Sequence, residues 1–145
     1  MSQVTRLKQQ IRRYLADSKY VEAKGALESV AALSAPDKDI QGFSEQIRTG
    51  SRRAADSARA ETEKLRGRVE KGAVAAGISL APAETLTTQA GTLYQSGDYT
   101  AAADRFVQAR AAYAEIETKA AEILKGRRQE QRQAALNARQ SFDRE

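Results

Sequence analysis

The side chains that most often perform acid–base or covalent chemistry are scarce or poorly spaced in this sequence. His and Cys are absent from its 145 residues, which excludes Ser-His-Asp and Cys-His nucleophilic centres, metal ligation by either residue, and disulfides. Glu61 with Glu63, and Glu115 with Glu117, are acidic pairs, but carboxylates two residues apart on a helix point in different directions. Glycine-rich phosphate loops and aspartate-rich calcium loops are missing. The sequence therefore predicts a protein that is not an enzyme and that uses no metal or cofactor.

Basic and aromatic side chains are the next candidates, because together they could bind nucleic acid. The net charge is +5. Acidic residues interleave with the arginine clusters, which favours solvated helix faces over a nucleic-acid surface. The clusters are Arg52-Arg53, Arg66 with Arg68, and Arg127-Arg128. Most tyrosines fall on predicted packing stripes, and Tyr94 alone is expected to be exposed. A membrane surface is also disfavoured, because the cationic first helix has only a modest apolar face.

Targeting signals do not stand out in the sequence. The apolar runs, such as residues 73–76, are too short to span a bilayer. The first residues are followed by polar and basic side chains rather than by the apolar stretch of a secretory signal. The expectation is a cytoplasmic protein, or a domain of a larger chain.

The elements that must position these residues are helices. Good helix formers dominate, prolines number two, and no stretch alternates apolar and polar residues as a strand would. Apolar residues at steps of three and four predict helices over 3–16, 20–33 and 82–95, and a fifth helix from Tyr99. A long third helix is predicted to start after Pro36, with Asp37 and Asp39 at its positive end. We therefore expect an all-α fold of antiparallel helical hairpins joined and extended by long helices.

The third helix has an uneven apolar stripe. Ile40, Phe43 and Ile47 are well spaced for packing, but the stripe then thins among many charges. The later part is therefore expected to project or to meet a partner, with Gly50, Gly67 and Gly72 as weak points. Two sparse seams are candidates for self-association: Leu65 with Val69, and Leu136 with Phe142.

Breaks in the pattern divide the chain into four segments within one structural domain. Residues 1–72 form a first hairpin with the long third helix, and 73–81 form a linker. Residues 82–126 form a second hairpin, and 127–145 form a charged extension that is either helical or frayed.

The two predicted hairpins echo each other. Tyr20, Ala23 and Leu27 have the same spacing as Tyr99, Ala102 and Phe106. The second segment, Leu93-Tyr94-Gln95-Ser96-Gly97-Asp98-Tyr99-Thr100-Ala101-Ala102, resembles the turn and second helix of the tetratricopeptide repeat family. In the first hairpin Ser18 replaces the turn glycine. The resemblance covers about half of the chain in two units that are 79 residues apart, and it implies hairpins of tetratricopeptide-like type.

The resemblance also implies a function, because first helices in this family line a groove that holds peptide segments. Carried over by position, the groove-facing residues are Lys8, Arg12 and Leu15 in the first unit, and Thr87, Gly91 and Tyr94 in the second. Since the first set is basic, an acidic peptide is the expected ligand. The predicted function is a non-enzymatic scaffold or adaptor that binds a protein or peptide. The alternative is a self-assembling structural domain that forms a homo-oligomer, and a basic nucleic-acid binder is less favoured than either.

Overall fold

The computed structural model describes residues 2–144, except for the side chain of Arg144, and over this range the chain forms five α-helices. They are α1 (Gln3–Ala16), α2 (Tyr20–Leu33), α3 (Lys38–Ala76), α4 (Ala81–Gln95) and α5 (Tyr99–Arg144). The predicted all-α fold is confirmed, and the bounds of α1 and α2 are those that the sequence predicted. Met1 and Glu145, at the outer ends of the predicted segments, lie outside the described residues.

The first hairpin packs on the first third of α3. Lys8 contacts Asp37 and Asp39, and Arg12 lies over Phe43, so α1 and α3 run in parallel with α2 antiparallel to both. α3 begins where the sequence predicted: the Asp37 side chain accepts a hydrogen bond of 2.9 Å from the Ile40 N–H. The core of this unit consists of Ile11, Ala26, Val30, Ile40 and Phe43.

The second hairpin packs on the remaining length of α3. Contacts advance together along α3 and α5, since Glu61 pairs with Arg110 and Arg68 pairs with Glu117. These two helices are therefore parallel. The helix that connects them, α4, runs antiparallel to both. The core consists of small residues around two large aromatic side chains: Ala55, Ala58, Ala90, Ala102 and Phe106, and further along Val69, Ala73, Ala83, Tyr113 and Ile116.

The prediction that the later part of α3 projects is wrong. Thr62, Val69, Ala73 and Ala76 are all buried in that part. The stripe is thin because α5 lies close enough for Ala and Thr side chains to fill the interface. Since Val69 is only 2% exposed, it belongs to the core and is not part of a self-association seam.

The predicted break before α4 is present but short. α3 continues through Ala76 and ends at Gly77, which has a left-handed φ of 74°. The Ile78 N–H donates to the Ala73 carbonyl at 2.9 Å, as in a Schellman cap. Arg127 adds a second cap, because its guanidinium donates to the Ala75 carbonyl at 2.6 Å. The end of α3 is therefore attached to α5.

The part of the chain that projects is the end of α5. The helix continues through Gly126 to Arg144, and every described side chain from Arg128 onward is exposed. Leu136 is 52% exposed and Phe142 79%. The charged extension predicted over 127–145 is thus helical as far as it is described. Within residues 2–144, no helix combines the length and the apolar character needed to cross a membrane.

Candidate functional site: the groove between the hairpins

The two hairpins meet at an open groove over α3. One side is α2, at Lys24 and Glu28, and the other side is the α4–α5 turn with the first residues of α5, 96–100. Ser44 and Ser51 of α3 lie at its base. The volume is about 460 Å³, which is within the range of ligand-binding clefts. We call this cavity the inter-hairpin groove.

Ser51 is the unusual residue of the groove. Its side chain is 2% exposed, and its Oγ has no hydrogen-bond partner among the described residues. Leaving a buried hydroxyl unpaired costs about 1–3 kcal/mol. Thr62, the other buried polar residue of α3, instead donates to the carbonyls of Ala58 and Phe106 at 2.6 and 3.1 Å. The Ser51 hydroxyl is therefore a buried, unpaired polar group in the wall of the groove.

The rim of the groove carries charges of both signs. Lys24 Nζ lies 3.7 Å from Asp98 Oδ1, so this pair links α2 to the start of α5. Arg48 and Glu28 also line the groove, and neither forms an ion pair with another residue between 2 and 144. A ligand with a carboxylate near Arg48 would therefore complete a charge pair at the rim.

An aromatic and arginine cluster adjoins the groove through Arg48 and Tyr99. The rings of Tyr94 and Tyr99 meet edge to face with centroids 5.1 Å apart. The guanidinium carbons of Arg48 and Arg52 lie 5.9 and 5.7 Å from the centroid of the Tyr99 ring. These cation–π contacts hold both arginines against α5. Arg48 is thereby positioned at the rim.

Tyr94 was expected to be exposed, but it is half-buried and joins α4 to α3. Its hydroxyl accepts a hydrogen bond of 3.3 Å from Arg52 Nε and donates one of 2.7 Å to Asp56 Oδ1. The hydrogen bond from Arg52 to this hydroxyl raises the pKa of the Arg52 guanidinium. None of the six residues that the sequence nominated for binding lines the groove, but Tyr94 contacts Tyr99, which does.

The α1 residues nominated for binding contact the start of α3 instead. Lys8 Nζ lies 2.6 Å from Asp37 and 3.1 Å from Asp39, and its side chain is 15% exposed. The hydrogen bonds with Asp37 and Asp39 raise the pKa of Lys8, and Lys8 lowers the pKa of Asp37. Arg12 lies 5.3 Å above the Phe43 ring. These two cations therefore hold α1 against α3.

The remaining nominated residues lie apart from the α1 cations. Leu15 is half-buried and lines a separate surface groove with Tyr20. Thr87 donates to the Ala83 carbonyl at 3.0 Å, and Gly91 is half-buried in α4.

The structure does not bring the two nominated sets into one groove. Arg12 and Lys8 contact α3 at residues 37–43, whereas Tyr94 contacts it at residues 52–56. At 1.5 Å per residue, Asp39 and Asp56 are about 26 Å apart along the helix. The α1 and α4 sets therefore reach separate parts of the molecule.

Sequence reasoning missed most of the groove residues. The usable signal was Ser51, a polar residue at the next position of the stripe Ile40, Phe43 and Ile47. Lys24 and Arg48 gave no signal, because each is an ordinary surface charge until α2 and the α4–α5 turn meet over α3, and Asp98 was identified only as part of the turn.

Neither a cluster of metal ligands within the described residues nor a matching protein adds to this description. Among residues 2–144, no cluster of acidic side chains is arranged to hold a metal ion. Comparison of the chain with protein-family models, with curated proteins and with solved structures finds no match.

Proposed function

We propose that this protein is a non-enzymatic interaction module that binds a polypeptide segment of a partner in the inter-hairpin groove. The observation that carries the proposal is the unpaired Ser51 hydroxyl beneath a groove formed by three separate elements. A ligand that supplies a hydrogen-bond partner for this hydroxyl removes the penalty that the free protein bears. Binding is favoured by that gain.

A polypeptide fits the chemistry of this groove. Its backbone offers N–H and C=O groups along the whole segment, and each can pair with Ser51. An acidic side chain in the segment would meet Arg48, whose guanidinium lies against Tyr99. The acidic peptide expected from the sequence is therefore retained, but its cationic contact is Arg48 rather than Lys8 and Arg12.

The resemblance to tetratricopeptide repeats supports the same class of function. The two hairpins turn with equivalent hydrogen bonds: Lys19 N–H to Tyr14 carbonyl, and Asp98 N–H to Leu93 carbonyl. Such hairpins serve in that family as scaffolds for peptide binding. A scaffold or adaptor role agrees with a sequence that lacks His and Cys.

A random peptide library selected on the chain tests the proposal. Ser44→Trp places a large ring at the base of the groove, and Ser57→Trp makes the same change on an exposed part of α3 outside it. Selected peptides should bind the parent and Ser57→Trp with equal Kd. They should bind Ser44→Trp at least about tenfold more weakly, since a filled cleft excludes the ligand.

Ser51→Ala separates binding from folding. Removal of an unpaired buried hydroxyl should leave stability equal or raise it by about 1 kcal/mol, while peptide affinity falls. The proposal is overturned if no peptide is enriched, or if the enriched peptides bind Ser44→Trp as well as they bind Ser57→Trp.

A further inference from the structure

The side of α5 that faces away from α3 and α4 carries charges in a simple order. Exposed residues at helical steps of three, four and seven line this side: Ala111, Glu115, Glu122, Lys125, Arg132 and Leu136. They lie about half a turn around the helix from the buried stripe that contains Phe106, Tyr113 and Ala120. The acidic residues come first and the basic residues follow.

This order is self-complementary when two copies lie antiparallel. With Glu122 opposite Lys125 of a second copy, Glu115 falls opposite Arg132 and Ala111 falls opposite Leu136. Each pair occurs twice by the two-fold symmetry, which gives four ion pairs along one face. Glu122, Lys125 and Arg132 form no ion pair with another residue in the range 2–144, and Glu115 contacts only the neighbouring Lys119, at 3.0 Å.

The projecting end of α5 is a second observation. Residues 128–143 are helical, yet none of their side chains is buried. A helical segment of this length gains little stability without tertiary packing. In the antiparallel register, residues 128–139 of one copy lie along residues 108–119 of the other, where α5 is supported by α3 and α4. The partner copy thus supplies the packing that the extension lacks.

We infer that the outer face of α5 is a docking surface for a second copy of this chain, paired antiparallel with Glu122 opposite Lys125. The face is mostly polar, so the dimer is weak and sensitive to salt. Asp104 meets Asp143 at the two ends of the register, which limits the favourable contact to residues 108–139. None of these residues lines the inter-hairpin groove, so this inference is independent of peptide binding.

Nucleic acid is a poorer occupant of the same face. Glu115 and Glu122 would face phosphates if a duplex lay along the helix, whereas they meet cations in the antiparallel pair. An acidic helix of another protein would meet the same repulsion over residues 115–122. The order of charges therefore favours a second copy over either.

Charge exchange between copies tests the register. One variant, Glu115→Lys with Glu122→Lys, makes the whole face basic, and a second, Lys125→Glu with Arg132→Glu, makes it acidic. Each alone should be monomeric in sedimentation velocity at low salt, because four pairs become repulsive. An equimolar mixture should restore a heterodimer with all four pairs. Raising the salt from 0.05 to 0.5 M should weaken the parent dimer about tenfold.

A matched control separates register from net charge. Glu70→Lys with Glu130→Lys changes the net charge by the same amount as Glu115→Lys with Glu122→Lys, but at exposed positions away from this face. This control should dimerise like the parent. The inference is overturned if the parent stays monomeric and the mixture forms no heterodimer, or if both charge variants still dimerise. It is also overturned if the control loses the dimer, or if the parent binds duplex nucleic acid while remaining monomeric.

The absence of native cysteine allows a direct check of the pairing. Thr118 and Gln129 are opposite each other in the proposed register, so Thr118→Cys with Gln129→Cys should give an oxidised dimer. Thr118→Cys with Gln140→Cys is offset by eleven residues and should give none. Equal crosslinking by both would overturn the register. Circular dichroism of every variant should show that the helices are intact.

Discussion

The two hairpins follow one sequence pattern and share a turn, but they pack differently on α3. Ser18 and Gly97 occupy the same turn position with left-handed φ angles of 56° and 86°. Ala23 and Ala102, at equivalent positions in the following helices, are both fully buried. Hairpin geometry is therefore set locally, by the turn and by the small residue that allows close approach.

The tyrosines that begin α2 and α5 show where the hairpins diverge. Tyr20 lies against Gly50 of α3, in space that a Cβ atom would occupy. Tyr99 instead lies beside Tyr94 and beneath Arg48 and Arg52. The residues of α3 at each contact decide where the tyrosine ring lies. Gly50 leaves room for one ring, whereas the two arginines lie over the other. Residues at equivalent positions therefore determine how each hairpin folds, but they do not determine how it packs on α3.

The largest expected difference between the hairpins is at Phe106 and its equivalent Leu27. Phe106 is 1% exposed, so Phe106→Ala should lower the free energy of unfolding by about 3–5 kcal/mol. Leu27 is half-buried, and Leu27→Ala should cost about 1–2 kcal/mol. Chemical denaturation of both variants measures the two losses. Equal losses would mean that the two positions are packed alike.

The contact between Tyr20 and Gly50 gives the next effect. Gly50→Ala should lower stability by about 1–3 kcal/mol, because the new methyl group overlaps the Tyr20 ring and displaces it. Gly67→Ala, where a Cβ would meet no atom within 4 Å, should raise stability by up to about 1 kcal/mol.

A double variant removes the cause of that loss. In a Tyr20→Ala background the obstacle is gone, so Gly50→Ala should become stabilising, as at Gly67. If Gly50→Ala stabilises the parent itself, then the ring does not need this glycine.

Exchanging the turn residues tests how alike the two turns are. Gly97→Ser should cost about 1–2 kcal/mol, because a side chain is strained at this left-handed φ. Ser18→Gly should gain less than about 1 kcal/mol, since the relief of strain is partly offset by the greater freedom of glycine in the unfolded chain. Thermal denaturation measures whether each variant loses or gains stability. If both changes have the same sign, the two turns are not equivalent.

The smallest expected effect is the pH dependence of the first hairpin. The hydrogen bond from Lys8 lowers the pKa of Asp37 below its ordinary 3.8. The stability from this carboxylate is therefore present above that value and is lost as pH falls through the lowered native pKa. Lys8 behaves in the opposite way: its pKa is raised above 10.5, so its contribution is lost as pH rises through the raised value.

Asp37→Asn isolates this ion pair, because Asn still caps α3 at Ile40 while the charge is removed. The variant should lose less stability than any of the destabilising variants above, and its stability between pH 2 and 5 should vary less than the parent's. Denaturation across this range measures the change. If the stability of the variant and that of the parent change with pH in the same way, then Lys8 and Asp37 do not couple in solution.

Helix bounds were predictable from sequence, but helix partners were not. The turns at Ser18 and Gly97 and the cap at Asp37 carry local signals, so α1 and α2 begin and end where predicted. The role of the later α3 was misjudged because its stripe is Ala and Thr, which bury well only when α5 is close. Gly50 was judged a weak point from propensity alone, although a Cβ atom at this position would overlap the Tyr20 ring.

The candidate site was less predictable than the fold. Lys8 and Arg12 were selected as cations on a helix face, and their acidic partners on α3 are 29 and 27 residues away in the chain. Pairings over such separations depend on how the hairpin docks. Ser51 was detectable as a polar residue in an apolar stripe, but its lack of a partner is a tertiary property.

The position of α3 in both units has a consequence for cooperativity. Neither hairpin can leave α3 without exposing a core that the same helix completes, so both units should unfold in one transition. In native-state hydrogen exchange, amides near Ser51 and Thr62, where the units adjoin, should exchange only through global unfolding. Those of residues 128–143 should exchange through fraying in the monomer. Residues 2–127 would then behave as one folding unit, with residues 128–143 as a labile helical extension.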